Sequence, residues 1–168
     1  MSTKTAVRRV LVALFVGVAA AAVIAASPHY KKDGQPVCSI NSINGTATCS
    51  SGTVSGLGNA DVQVSVTLNA SAGTFCHNPG NTNIVPGQNP ATTVATSTLD
   101  FSADQIKNGT LVIPPISVTA TVATPSAQTA GCPNDNWTVT LGNVTYGPGF
   151  YAFYQPPGTL IQQLSFSF

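Results

Sequence analysis

The chain has 168 residues, 43% of them apolar and only 7% charged, with a formal net charge of +1. So few charges exclude the basic footprint of a nucleic-acid-binding surface. Glutamate is absent, which speaks against a helical protein, whose exposed faces draw on Glu, Lys and Arg.

Lys4, Arg8 and Arg9 give a basic start, and Val10 to Ala26 is an uncharged, alanine-rich run closed by small residues. This is the layout of a secretory signal peptide over residues 1–26, with cleavage expected near Ala26. The competing reading is an uncleaved anchor. The apolar run sits at the short edge of the roughly 17–25 residues that span a bilayer. Beyond Ala26 every arginine is gone, leaving three lysines and five aspartates. The surface there must be wetted by Ser, Thr, Asn and Gln. Residues 27–36, with two prolines and no periodicity, read as a flexible spacer. Residues 37–168 then form one domain, long enough to bury a core.

Val37 to Ser50 reads as a hairpin around Asn44-Gly45. A two-residue turn leaves Cys38 diagonal to Cys49. A four-residue loop, Ser42 to Gly45, sets the two cysteines directly opposite and Ile40 opposite Ala47. Direct opposition suits a disulfide better, so the longer loop is expected, with Gly45 at positive φ. The strongest pattern follows, where Val62, Val64, Val66 and Leu68 alternate with Asp61, Gln63, Ser65, Thr67 and Asn69. A period of two marks a strand with one dry and one wet face.

His77 to Pro90 is an Asn/Pro/Gly loop of the kind that is ordered or binds ligands. Thr92 to Phe101 resumes as a strand. Ser102 to Gly109 reads as one helical turn capped by Ser102 and stopped by Gly109. Pro114-Pro115 interrupts the next strand and confines it to a sheet edge or a change of sheet. Pro125 to Asn136 is a second loop, holding Cys132. Trp137 to Leu141 alternates, and Gly142-Asn143 marks a bulge because Val144 and Tyr146 continue in the other phase. The last strand sets Leu160, Gln162, Leu164, Phe166 and Phe168 on one face. Eight or nine strands with turns at short spacing predict an all-β fold: a two-layer antiparallel β-sandwich of immunoglobulin-like type.

Several of these pieces resemble a family of small secreted microbial proteins of uncharacterised function. They are Cys49 to Asn59 with its Gly-Leu-Gly-Asn end, Cys76-His-Asn-Pro-Gly-Asn81, Pro86-Gly-Gln-Asn-Pro90, and Gly131-Cys-Pro-Asn134 with Trp137. The resemblance covers most of Cys38 to Gln155. It implies export and a compact β domain, and brings no catalytic residues.

Four cysteines allow three connectivities. The expected pairs are Cys38–Cys49, closing the hairpin, and Cys76–Cys132, tying the two Pro/Gly/Asn loops together. No metal site is expected, since no CxxC occurs and His77 is the only histidine beyond the spacer. No cofactor is expected either. Candidate acid–base groups are Asp61, Asp100, Asp104, Asp135 and His77, in no recognisable catalytic order. Asn134-Asp135-Asn136 offers one carboxylate, a weak calcium donor set. Five Asn-x-Ser/Thr sequons are what an Asn- and Ser/Thr-rich chain produces by chance.

The remaining feature is aromatic. Phe150-Tyr151-Ala152-Phe153-Tyr154 puts rings on both faces of one strand. The resembling sequences keep apolar residues at the positions of Tyr151 and Phe153. That resemblance implies that these two face the core and that Phe150 and Tyr154 face out. Outward rings on an uncharged surface suit a polysaccharide or another extracellular protein surface. The expected function is a secreted, non-catalytic binding or structural module, not an enzyme, with no nucleic-acid partner and no membrane contact after cleavage. A secreted hydrolase using Asp residues is the alternative.

Overall fold

The computed structural model describes residues 27–167. The signal-peptide expectation for residues 1–26, and the place of Phe168 in the last strand, lie outside these residues. The described chain is built from antiparallel strands with one short helix and one 3-10 turn. In order, the strands are β1 (His29–Tyr30), β2 (Cys38–Asn41), β3 (Thr46–Cys49), β4 (Gly52–Ser55), β5 (Val62–His77), β6 (Ile84–Pro86), β7 (Ala91–Phe101), β8 (Thr110–Ile113), β9 (Ile116–Thr119), β10 (Thr138–Tyr154) and β11 (Leu160–Phe166). The helix, α1, spans Ala127–Ala130.

The first layer runs β11-β10-β5, with β7 and β6 on the far side of β5. Its axis is the strand the sequence announced, and it is longer than the alternation through Asn69 implied. β5 keeps alternating to His77, burying Ala70, Ala72, Thr74 and Cys76 after the valines. β10 follows β5 along its whole length by absorbing two bulges, one between Leu141 and Val144 and one between Tyr146 and Gly149. Each extra residue flips the inward phase. Val139 and Leu141 therefore give way to Val144 and Tyr146, and these to Tyr151 and Phe153. The Gly142-Asn143 bulge was expected; the Gly147-Pro148 bulge restores the original phase.

The second layer is a strand pair broken in the middle. Cys49 pairs with Ile116 and Gly52 with Ile113. The shared register places Ser50 and Ser51 opposite Pro115 and Pro114. Proline has no N–H to donate, so the ladder stops there. Ser50 turns the other way instead: its N–H donates to the Val37 carbonyl at 2.9 Å and its Oγ accepts from Val37 N–H at 3.0 Å. All four residues at the break are exposed. Inward positions change parity across it, from Ala47 and Cys49 to Val54, and from Ile116 and Val118 to Ile113 and Leu111. β8 and β9 pair on one side only, as the two prolines require.

Between the layers lies one core. It joins Val62, Val64, Val66, Leu68, Tyr151 and Phe153 to Ala47, Val54, Leu111, Ile113, Ile116 and Val118. The expected hairpin register is present: Cys38 faces Cys49, Ile40 faces Ala47, and Gly45 sits at φ 66°. A Cβ on Gly45 would meet the Tyr146 hydroxyl at 2.5 Å and the Ala120 carbonyl at 2.7 Å, so the turn and the packing both demand glycine. Cys38–Cys49 and Cys76–Cys132 are both bonded. Neither bridge joins the two layers across the core, as the bridge of an antibody domain does.

Three expectations change. Residues 27–36 do not behave as a free spacer: His29 and Tyr30 pair with Ser55 and Val54, and Thr53 exchanges backbone hydrogen bonds with Lys31 and Gly34. Tyr30 packs on the core, and one large ring is enough to tie down a polar segment. The loop 77–90 contains β6, paired with Phe75 to His77. The loop 125–136 contains α1, capped by Ser126 and closed by Gly131 in the left-handed region. These additions, and the break that splits two strands, raise the strand count to eleven among the described residues.

Candidate functional site

Along β10 the sequence YAFY alternates, and its burial follows. Tyr151 and Phe153 are enclosed, at 0% and 1% exposure. Phe150 and Tyr154 stand on the opposite face, half-buried, in the phase that was expected. Direct cross-strand partners share a face, so the outer surface can be built row by row. Tyr154 is beside Gln63, which is beside Asp100. Ala152 is beside Ser65 and Thr98. Phe150 is beside Thr67 and Thr96. Ser65 and Ala152 are buried, at 8% and 4% exposure, although they belong to this outer face. They form the floor of a shallow trough whose ends are the Phe150 and Tyr154 rings.

Hydroxyls and amides line the rest. Thr67 Oγ1 and Thr96 Oγ1 are 3.0 Å apart, Ser71 Oγ and Thr145 Oγ1 3.0 Å, and Gln63 Nε2 donates to Asp100 Oδ1 at 2.9 Å. A hydroxyl pair uses one of its two protons internally. The Thr67–Thr96 pair thus keeps a donor and spare lone pairs for a ligand, whereas Thr145 Oγ1 also donates to the Ser71 carbonyl at 3.2 Å. Asn69 Nδ2 donates to the Pro148 carbonyl at 3.1 Å and holds the second bulge in place.

The same face carries a feature the sequence reading missed. Because β5 continues in phase to His77, Phe75 points outward, 41% exposed, between Pro86 and Thr140. Its ring lies across Gly142, where a Cβ would come within 3.1 Å of Cε2. Extending the alternation past Asn69 would have found it.

The candidate acids fall into two groups. Asp100 and Asp61 border a cleft of about 440 Å³ with Phe101, Ser102, Gln105 and Pro157. There Asp61 Oδ1 accepts the Ala103 N–H at 2.9 Å. Asp104 is exposed in the adjoining 3-10 turn, where the Ser102 hydroxyl holds its carboxyl below the usual range. His77 and Asp135 belong to the other end of the sheet, since His77 pairs with Thr138 and Asp135 sits in the loop just before it. From Gln63, beside Asp100, to His77 is fourteen residues of β5, or about 45 Å at the rise of a strand. The His77 ring is held by Asn81 Oδ1 at 2.9 Å and Thr140 Oγ1 at 2.8 Å. Asn134 uses its Oδ1 to accept the Asn136 N–H, closing a turn. Among the described residues, no group of three His, Cys, Asp or Glu side chains could hold a metal ion.

The 77–90 loop is organised internally. Asn78 Oδ1 accepts the Thr82 and Asn83 N–H groups. Asn89 is tied to α1 by its own N–H on the Ala130 carbonyl and its Nδ2 on the Thr129 carbonyl. With Cys76–Cys132, these bonds dock the two loops on each other. A second hollow, of about 460 Å³, lies beside the β2–β3 hairpin and is lined by Ser42, Val144, Thr145 and Tyr146.

No family model, curated protein or solved structure matches the chain.

Proposed function

We propose that this chain is a secreted, non-catalytic module that binds polysaccharide on the outer face of its long sheet. One observation carries the reading: Phe150 and Tyr154 lie partly exposed on one face of one strand, on either side of the small Ser65 and Ala152. A ring can stack on the apolar face of a sugar, while neighbouring hydroxyls and amides meet the sugar's own. The same face carries paired hydroxyls between its rings, which suits a polyhydroxylated ligand. Two disulfides fit an oxidising, extracellular setting. No helix among the described residues is long and apolar enough to cross a membrane.

The hydrolase alternative keeps Asp61 and Asp100 on one cleft but not the rest of its candidates. His77 and Asp135 are a sheet-length from Asp100, and Asp61 and Asp100 each accept a hydrogen bond from the protein itself.

The test is co-sedimentation with insoluble plant and microbial cell-wall polysaccharides. Phe150→Ala with Tyr154→Ala should lose binding with little change in Tm. Unaltered binding by the folded double variant would remove these rings from the site, and retention by an extracellular protein alone would favour a protein partner.

A further inference from the structure

The outer face is longer than the trough between two rings. Tyr154 stands beside Gln63, Phe150 beside Thr67, and Phe75 on β5 itself, all on one side of the sheet. Four residues separate the first two positions along β5 and eight the second two, or about 13 and 26 Å at the rise of a strand. Between Phe150 and Phe75 the residues of β5 are small or polar, and Val94, 67% exposed, flanks them beside Asn69 on β7. Asn69 is drawn down onto Pro148, Ser71 and Thr145 are paired, and Gly73 has no atom within 4 Å of where its Cβ would be.

The charges on this face are equally informative. β5, β10 and β11 carry no charged residue, and β7 carries only Asp100, at the Tyr154 end. No lysine or arginine lies on these strands, so a polyanion such as a uronic-acid polymer has no counter-charge here. A polycation would find a single carboxylate.

We infer that the site takes a neutral, linear polysaccharide lying along the strand direction, with Phe75 as its third ring contact. The inference rests on the polysaccharide reading above and adds orientation, length and neutrality to it. A ligand that only occupied the trough would be indifferent to Phe75. A chain laid along β5 gains a further contact at each ring it reaches, so affinity rises with chain length.

Isothermal titration with neutral β-linked gluco-, xylo- and manno-oligosaccharides, as trisaccharides and decasaccharides, separates these cases. The expected result is that at least one decasaccharide binds about tenfold or more tightly than its trisaccharide, the effect of a stacking contact of about 1.4 kcal/mol. Phe75→Ala should erase that preference and leave trisaccharide affinity unchanged. Gly73→Lys, placed where a side chain meets open space, should do the same by obstructing the path, and serves if Phe75→Ala folds poorly. Equal affinity for short and long chains, or a length preference untouched by both variants, would overturn the inference and leave the proposed function standing. Failure of every neutral oligomer and polymer while a charged polysaccharide binds would overturn the inference alone; failure of every polysaccharide to bind the folded protein would overturn both.

Discussion

The two faces of β5 and β10 are made by the same residues in alternation, yet they obey different constraints. Inward, Val62, Val64, Val66, Leu68, Tyr151 and Phe153 are almost completely enclosed. Outward, Gln63, Thr67, Asn69, Phe150 and Tyr154 keep part of their surface exposed. A ring on the inner face contributes through the water it leaves and the atoms it touches. A ring on the outer face stays partly wet and contributes much less to folding. Chemical type alone does not distinguish the two. Tyr151 and Tyr154 are the same residue three positions apart, and strand phase decides which holds the fold and which is free for a ligand.

The sharpest way to break that comparison is to truncate one ring from each face. Phe153→Ala should cost about 3–5 kcal/mol, the range for large aromatic truncation in a packed core. Phe150→Ala should cost much less. Urea denaturation of both variants measures the contrast. Similar losses would mean that the outer ring is core in all but name.

The two bridges invite a parallel comparison. By loop length, Cys76–Cys132, with a sequence separation of 56, stabilises by about 4 kcal/mol, and Cys38–Cys49, with a separation of 11, by about 3. Cys76→Ser with Cys132→Ser should therefore lower the urea midpoint more than the Cys38/Cys49 double variant does. The reverse order would show that the hairpin register, rather than chain entropy, dominates.

Much of this architecture was legible because period-two patterns write it directly. The valine alternation gave the central strand, and Asn44-Gly45 with opposed cysteines gave the hairpin and its bridge. Pro114-Pro115 gave the edge. What stayed hidden depended on partners far away in sequence. The segment 27–36 looks unstructured because its polar residues bond backbone to backbone, through Lys31, Gly34 and Thr53, and because one ring, Tyr30, anchors it. β6 is three residues long and exists only because the end of β5 offers it an edge. Phe75 was legible in principle, by carrying the β5 alternation six residues past Asn69, whereas the placement of the acids needed the topology.

Tyr30 and Tyr151 sharpen the comparison through pH. Their buried phenols approach each other without a well-directed hydrogen bond, and neither finds another partner among the described residues. Burial pushes Tyr30 up to about 12 against a small opposing effect of Tyr151, and burial and then Tyr30 push Tyr151 higher still. Folding thus favours the neutral phenols. Their contribution is fully present below the unfolded value near 10 and is lost as pH rises through 12. Urea midpoints should fall from pH 9.5 upward, and Tyr30→Phe with Tyr151→Phe should flatten that decline. At neutral pH the double variant should be as stable as the parent or more so, because it removes two unsatisfied hydroxyls.

The smallest effect belongs to the hydroxyls. Val66 and Thr67 are neighbours on β5, one inward at 0% exposure, the other outward and paired with Thr96 Oγ1 at 3.0 Å. The two side chains have nearly the same shape and differ by one hydroxyl. Inside, Val66→Thr buries that hydroxyl among apolar neighbours and should cost about 1–3 kcal/mol. Outside, Thr67→Val loses one cross-strand pair but remains β-branched and well suited to the strand, so the change should stay under about 1 kcal/mol. A double-mutant cycle with Thr96→Val isolates the pair, and its coupling should fall within about 0.2–1 kcal/mol. The same Thr67→Val variant should weaken polysaccharide binding more than it weakens folding, because Thr67 lies beside Phe150 in the row a sugar would cover. A variant that loses stability while binding is unchanged would mean the hydroxyl row serves the sheet and not a ligand.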